Sequence, residues 1–237
     1  MGPEPKLLRT AAFLLCTAVA APVMAQDFDK GVTAYNAGDY ATALQEWRPL
    51  AELGDANAQF NLGLMYAQGR GVLQDDTEAV DWYRKAEVQG LARAQSNLGF
   101  MYANGRGVLQ DDAEAVRWYR KAAEQGYAAA QYNLGIKYAH GMGVLQDDAE
   151  AVGWYRKAVE QGDADAQNNL GFMYENGRGV LQDAVLAHMW YNIGGANGSD
   201  FGLESRGKIE QSMTREQIVE AQARARVCMA SNYQDCD

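Results

Sequence analysis

Pairs of adjacent carboxylates are the first residues whose type and spacing could do chemistry. They lie at Asp75–Asp76, Asp111–Asp112 and Asp147–Asp148. Such pairs can act as general acid and base or bind calcium. However, the D-x-D-x-D-G spacing of a calcium loop is missing, and a glutamate follows the first aspartate of each pair by three residues. We therefore interpret the pairs as helix N-caps within capping boxes, and we predict no metal site.

Two further patterns suggest catalysis only weakly. Ser205 and Lys208 form the S-x-x-K arrangement of penicillin-recognising enzymes, but the partner motifs S-D-N and K-T-G are missing. His140 and His188 lie at non-equivalent positions, form neither a metal pair nor a Ser–His–Asp triad, and are interpreted as surface residues. The sequence thus predicts a protein that is not an enzyme and has no cofactor.

A period of 36 residues organises the elements that position these side chains. The string A-Q-x-N-L-G begins at Ala58, Ala94, Ala130 and Ala166. Each period contains two helical patterns joined by the turn G-x-G-V-L-Q-D. This turn follows a helix and has no G-K-[ST], so it is not a phosphate loop. Neither helix can bury its apolar face alone, which predicts stacked helix pairs.

One glycine recurs inside the first helix of every period. It is the last residue of A-Q-x-N-L-G, at Gly63, Gly99, Gly135 and Gly171. A glycine there costs about 1 kcal/mol relative to alanine, so a larger gain must offset it. We expect an aromatic ring of the partner helix to lie over the missing side chain.

The repeated motifs resemble those of the Sel-one-like repeat (SLR) family, a subclass of the tetratricopeptide-repeat superfamily. L-G-x-x-Y at residues 62–66, G-x-G-V at 69–72 and A-V-x-W-Y-R-K-A at 79–86 carry the resemblance, and they recur through Gly198. It implies an all-α fold, a right-handed α-α superhelix of antiparallel helix pairs. The predicted division is a signal peptide at 1–25, a tetratricopeptide-like pair at 26–54, four SLR repeats at 55–198, and a C-terminal capping region at 199–237 with a helix at about 215–229.

The first 25 residues have the pattern of a cleavable signal peptide. Lys6 and Arg9 precede an apolar run over residues 11–21, and small residues lead to predicted cleavage after Ala25. We therefore expect an exported protein, periplasmic or secreted, that is not inserted into a membrane after cleavage. Cys228 and Cys236 would then be the cysteines of the mature chain. We expect them to pair, with two free thiols or a crosslink between chains as alternatives.

Charge limits the class of partner. The chain of 237 residues has a formal net charge of −10, and 48% of its residues are hydrophobic. Removal of residues 1–25, with two basic residues and one acidic residue, leaves the mature chain more negative by one unit. This composition is typical of a folded protein, and its charge disfavours nucleic acid as a partner.

The resemblance also implies a binding surface, because the first helix of each pair lines the concave groove in the tetratricopeptide superfamily. The corresponding positions are Phe60, Leu64, Gln68, Ser96, Phe100, Asn104, Tyr132, Ile136, His140, Asn168, Phe172 and Asn176. The middle position of each set is large and apolar and the outer two vary, as expected of a groove for a specific protein or peptide. Packing between repeats is the alternative role for the apolar set.

Two other recurring features have structural interpretations. The W-Y-R-K runs are interpreted as core aromatic residues next to a solvated Arg–Lys pair. The mid-helix Asn61, Asn97, Asn133 and Asn169 are expected to bond the backbone of a neighbouring turn, with a peptide clamp as the alternative.

The resulting functional hypothesis is an exported, non-enzymatic scaffold that binds a protein or peptide partner. The resemblance implies adaptor or regulatory roles in the bacterial cell envelope. The alternatives are a weak β-lactam-binding or β-lactam-hydrolysing protein and a peptidoglycan or glycan binder. Relatives with β-lactam activity usually carry cysteine pairs within their repeats, which this chain does not.

Overall fold

The computed structural model describes residues 27–236, and all regular elements in that part of the chain are helical. The helices are α1 (Phe28–Asn36), α2 (Tyr40–Glu52), α3 (Ala56–Gln68), α4 (Asp76–Glu87), α5 (Ala92–Asn104), α6 (Asp112–Glu124), α7 (Ala128–His140), α8 (Asp148–Val159), α9 (Ala164–Asn176), α10 (Ala184–Ala196), α11 (Asp200–Ile209) and α12 (Arg215–Ala230). A 3₁₀ turn, Glu210–Ser212, separates the last two. None of the described helices is long and apolar enough to cross a membrane. The predicted signal peptide, residues 1–25, lies outside the described residues.

The helices pack in the order of the chain. Each first helix (α1, α3, α5, α7, α9) packs against the helix that follows it, and each second helix then packs against the next first helix. The buried residues form four clusters along this stack. The predicted solenoid of antiparallel helix pairs is confirmed.

Glycine and aspartate set the boundaries of the two helices in a pair. Helix α3 ends at Gly69, whose φ of 65° places it in the left-handed region that glycine favours. Asp75 caps α4 by accepting hydrogen bonds from the backbone N–H groups of Thr77 and Glu78. The predicted reciprocal bond, from the Asp75 N–H to the Glu78 carboxylate, is not formed, because this N–H donates to the carbonyl of Tyr66. The N-cap prediction is therefore right, whereas the complete capping box occurs only at α12 among the described helices.

The recurring mid-helix glycine allows the two helices of a pair to approach closely. A Cβ atom on Gly135 would lie 2.5 Å from Cε1 of Tyr155, and the three equivalent glycines face Tyr83, Tyr119 and Tyr191 in the same way. These four tyrosines are almost fully buried. The expectation that an aromatic ring lies over the missing side chain is confirmed, and ring burial offsets the cost of the glycine.

The two ends of the stack differ from the repeats. At the N-terminal end, a Cβ on Gly31 would overlap the Trp47 ring, so α1 and α2 use the same close approach with a different aromatic residue. At the C-terminal end, α11 occupies a stretch that sequence patterns leave unassigned, and α12 extends from Arg215 to Ala230. A disulfide joins Cys228, at the end of α12, to Cys236.

Candidate partner-binding groove

The predicted groove residues lie on one face of the first helices, because positions four residues apart share a helix face. Their exposure increases along each helix. The inner positions are buried at Phe60, Ser96 and Asn168 and half-buried at Tyr132. The middle positions are half-buried at Leu64 and Ile136 and exposed at Phe100 and Phe172, and the outer positions Gln68, Asn104, His140 and Asn176 are all exposed.

The buried inner residues present little surface in the free protein. Accessible contacts therefore come from the middle and outer positions. Phe100 and Phe172 keep 45% and 41% of their surface exposed, which is unusual for a residue as apolar as phenylalanine. The assignment of this face to partner binding remains a prediction.

Two open cavities lie on this face. The larger, of about 400 Å³, is formed by α1, α3 and the side chain of Arg93, and Phe60 and Leu64 line it. The smaller, of about 200 Å³, lies between α3 and α5, where Leu64, Phe100 and Arg106 line it. The volume of the larger cavity falls within the range of about 300–1,000 Å³ that is typical of ligand pockets, and that of the smaller cavity falls below it.

An arginine lies beside each aromatic residue of the groove in three of the four repeats. The guanidinium of Arg93 is 4.8 Å from the Phe60 ring centroid, and Arg106 and Arg178 lie 5.9 and 5.8 Å from the rings of Phe100 and Phe172. These contacts hold the rings by cation–π attraction and place polar groups beside apolar surface. The arrangement suits a partner with both apolar and polar side chains.

Arg106 and Arg178 also join successive repeats. Arg106 forms two hydrogen bonds with the carboxylate of Asp76, at 3.0 and 2.6 Å, and a third with the carbonyl of Ala67. Arg178 repeats this geometry with Asp148 and Ala139. The hydrogen bonds from arginine lower the pKa of Asp76 and of Asp148 below the usual range. The second aspartate of each pair is thus an ion-pair partner, which the cap interpretation did not include.

One junction uses a different cation. Met142 occupies the position of the loop arginine in the third repeat. There, Lys137 on α7 extends from the helix to Asp112, with a distance of 2.7 Å between Nζ and Oδ1. The Lys137 side chain is only 9% exposed. A carboxylate at the start of each second helix therefore pairs with the following repeat at all three junctions between SLR repeats.

The recurring asparagines do not behave as expected. Asn133 donates to the carbonyl of Ala129 in its own helix, at 2.8 Å. Asn97 lies beside the hydroxyl of Tyr83, and Asn169 beside that of Tyr155. The expected bond to a neighbouring turn is therefore not seen at these three positions. All four asparagines are half-buried on the groove side of their helices, so the peptide-clamp alternative remains open.

The buried tyrosines of the interior have raised pKa values. Burial raises the pKa of Tyr83 to about 12, and it also raises the pKa values of Tyr119 and Tyr155. These phenols are neutral near pH 7. They pack against the mid-helix glycines of the first helices.

A row of glutamines joins the first helix of each repeat to the end of its second helix and was not recognised in the sequence, although it forms part of A-Q-x-N-L-G. Gln59, Gln95, Gln131 and Gln167 are buried. Each accepts a hydrogen bond from an amide 30 residues later, as in the 2.7 Å bond from Gln125 to Gln95 and the 2.8 Å bond from Gln161 to Gln131. The sequence signal was a glutamine followed 30 residues later by a second amide side chain in every repeat. Sequence patterns for helix caps and apolar cores do not include such a pair.

The Arg–Lys pairs of the W-Y-R-K runs are exposed as predicted, apart from the half-buried Arg120, and they also contact aromatic residues. Lys85, Lys121 and Lys157 stack on Trp82, Trp118 and Trp154, at 3.5 to 4.1 Å from the ring centroids. Arg84 and Arg120 donate to the tyrosine hydroxyls of the next repeat, Tyr102 and Tyr138. The aromatic residues do pack, whereas the basic residues bind neighbours and are not simply solvated.

The residues considered for catalysis are not assembled into a site. His140 is exposed as predicted, but the surface interpretation of His188 is wrong. His188 is fully buried because it packs under the C-terminal cap, with its Nε2 at 2.8 Å from Oε1 of Glu210. Lys208 pairs with Glu204 on the exposed side of α11. Within residues 27–236, no group of three metal-ligating side chains converges.

Comparison with known proteins identifies the family. The Sel1 repeat family matches residues 56–90, 92–127, 128–163 and 164–199. The crystal structure of a Sel1 repeat protein from Oxalobacter formigenes is 38% identical, with 77% of this chain and 74% of that chain covered and a TM-score of 0.73. None of the curated proteins compared matches the chain.

A second solved structure is similar over a longer stretch of this chain. It is c5321, a protective antigen present in uropathogenic Escherichia coli strains that displays an SLR fold. The identity is 36% and the TM-score 0.74, with 87% of this chain covered but only 44% of the antigen. The repeat matches span more than half of the sequence, and the chain belongs to the Sel1 repeat family.

Proposed function

We propose that this protein is an exported scaffold of the bacterial cell envelope that binds a protein or peptide in the groove lined by its first helices. The single observation that carries the proposal is the exposure of Phe100 and Phe172 at equivalent positions, beside polar side chains that differ between repeats. Solvent-exposed phenylalanines flanked by varied polar groups are typical of protein-binding surfaces. Sel1 repeat proteins are scaffolds for protein–protein interaction, which supports this reading.

Two observations support export. Residues 1–25 have the charged, apolar and small-residue segments of a signal peptide. The disulfide between Cys228 and Cys236 is of the kind that persists in oxidising compartments. Expression of the full chain, followed by cell fractionation and mass spectrometry, tests this part. We expect a periplasmic or secreted protein that begins at Gln26, whereas an intact cytoplasmic chain would contradict it.

Site-specific photocrosslinking in intact cells tests the groove. A photoreactive amino acid replaces Phe172, which is exposed in the groove, or Lys157, which is exposed on the second helix. We expect protein crosslinks from position 172 and few from position 157. Equal crosslinking from both positions, or none from the groove, would contradict the proposed binding surface.

The proposal includes a non-enzymatic role, which the same geometry supports. The groove exposes apolar and amide side chains, and the buried tyrosines beside it are neutral. A chromogenic β-lactam assay on the purified protein tests the enzymatic alternative. We expect no turnover, and turnover that Ser205→Ala abolishes would overturn the proposal.

A further inference from the structure

The groove has a cavity of about 400 Å³ at its N-terminal end, which we call the N-terminal cavity. Helices α1, α2 and α3 form its apolar walls with the side chains of Phe28, Val32, Trp47, Phe60 and Leu64. Three amide side chains also line it: Asn36, Asn57 and Asn61. Apolar walls combined with a few polar groups are typical of a binding site, because the polar groups fix the orientation of what enters.

Arg93 is the one charged side chain among the described residues that line the N-terminal cavity. Its guanidinium lies 4.8 Å from the Phe60 ring centroid, and Nη2 donates to Oδ1 of Asn57 at 2.8 Å. In the described part of the chain no carboxylate forms an ion pair with Arg93, whereas Arg106 of the same groove pairs with Asp76. A guanidinium carries five N–H donors, so Arg93 keeps donors for an anion.

Helix stability does not explain a cation at this position. Arg93 is the second residue of α5, and the dipole of a helix disfavours a positive charge in its first turn. The equivalent residues of the other first helices are Asn57, Ala129 and Asp165, so the repeat does not require a cation there. A positive charge that is held at the wall of an apolar cavity without a carboxylate of its own is complementary to a ligand that is both apolar and anionic.

The equivalent place two repeats later has the opposite charge. Tyr132 there corresponds to Phe60, and Asp165 corresponds to Arg93. Burial raises the pKa of Tyr132 to about 12, and the negative charge of the exposed Asp165 adds to this rise. A carboxylate of a ligand is therefore attracted beside Phe60 and repelled beside Tyr132. Charge thus favours the N-terminal end of the groove for an acidic group.

We propose that the N-terminal cavity binds a segment of the protein partner in which a large apolar side chain lies next to an aspartate or glutamate. The apolar side chain packs against Phe28, Val32 and Leu64, which are half-buried in the free protein. The carboxylate accepts hydrogen bonds from Arg93, and the amides can bond the backbone of the segment. This inference rests on the proposed function, because the cavity is part of the groove, and it adds the chemistry of the anchor.

Selection from a library of random peptides displayed on phage tests the proposal. The library is selected on the purified protein and sequenced before and after selection. The same selection is made on Arg93→Glu and on Asn36→Trp, which fills the cavity from an exposed position. The matched control is Arg226→Glu, because Arg226 is exposed on α12, outside the groove, and its replacement changes the net charge by the same amount.

We expect the original protein and Arg226→Glu to enrich peptides in which a large apolar residue lies next to an aspartate or glutamate. Arg93→Glu should enrich lysine or arginine in place of the acidic residue, and Asn36→Trp should lose the pattern. For a peptide selected on the original protein, fluorescence anisotropy should give a Kd about tenfold weaker with Arg93→Glu, because a hydrogen bond to a charged group contributes about that much. The Kd with Arg226→Glu should change by less than about twofold. Circular dichroism verifies that each variant is folded.

The proposal is wrong if no peptide is enriched, if the enriched peptides show no preference for acidic residues, or if Arg93→Glu keeps that preference. Displacement of the peptide by phenylacetate with equal affinity would instead assign the cavity to a small apolar acid. Self-association in analytical ultracentrifugation that Asn36→Trp abolishes would assign it to a second copy of this chain. Each of these results leaves crosslinks from position 172 unaffected, whereas failure of the groove proposal removes those crosslinks, so the two failures are distinguishable.

Discussion

On each first helix, the side that packs against the second helix keeps the same residue in every repeat, whereas the residue type on the groove side changes. On α7, Gly135 faces Tyr155 of the partner helix, and the same glycine recurs in all four repeats. The adjacent Ile136 faces the groove, and its counterparts in the other repeats are Leu64, Phe100 and Phe172. The interior is constant because every repeat must meet the same partner surfaces. The groove side varies because packing between the helices constrains it less.

Gly135→Ala tests the constant, interior side of the first helix, and it should have the largest effect on stability. The new methyl group would lie 2.5 Å from Cε1 of Tyr155, so the ring must move within a packed core. We expect the free energy of unfolding to fall by about 2 kcal/mol, measured by urea denaturation.

The matched control for that change is Gly153→Ala on α8, where a new Cβ meets nothing within 4 Å. Alanine is the better helix former, so we expect stability to rise by about 0.5–1 kcal/mol. If both substitutions had the same sign, close approach would not explain the constant glycine.

The next largest effect concerns the junction between the second and third repeats. Lys137→Met leaves Asp112 without its cation at a site where the lysine is nearly buried, and we expect a loss of about 1–2 kcal/mol. Met142→Arg in that background restores the loop arginine of the other junctions and should recover most of the loss. Thermal unfolding measures both variants, and no recovery would show that the two arrangements are not interchangeable.

Acid pH weakens the ion pairs between repeats, and its effect on the free energy of unfolding should be smaller. Arginine lowers the pKa values of Asp76 and Asp148 in the folded state, so each pair stabilises the fold above the unfolded pKa of about 3.9. That contribution decreases as pH falls below about 4 through the folded pKa. Solvent exposure keeps it under about 1 kcal/mol per pair. Unfolding free energies between pH 6 and pH 3 should fall less steeply in Arg106→Met/Arg178→Met than in the original protein.

The smallest effect on stability should come from the outer groove positions. His140→Ala and Asn176→Ala alter exposed side chains, and we expect the free energy of unfolding to change by no more than about 0.5 kcal/mol. Crosslinking yield from position 172 should nevertheless decrease in the double variant. Lower stability with unchanged crosslinking would show that these two positions serve packing and not partner binding.

Periodicity was enough to predict the fold, since a fixed spacing of glycine, tyrosine and tryptophan leaves few alternatives to stacked pairs. It also predicted the glycine–tyrosine contact, because the cost of a mid-helix glycine requires a close neighbour. The N-caps were predictable for the same reason: aspartate, glutamate and helix start occur at fixed distances within one segment.

Contacts between repeats could not be predicted in this way. The partner of Asp76 is 30 residues away, and that of Asp112 is 25 residues away on another element. Burial of His188 depends on Glu210 and the cap, whose packing no local pattern specifies. The groove residues came from the family resemblance, and the burial of Phe60 and Asn168 required the packed neighbours to be known.

The amide bonds between glutamines have a consequence for how this protein can change its length. Each bond lies within one repeat and joins its first helix to the end of its second, as from Gln125 to Gln95 and from Gln161 to Gln131. A duplicated segment of 36 residues would carry both halves of the contact and could be inserted without altering its neighbours. The length of the helical stack would then grow or shrink in whole units of 36 residues.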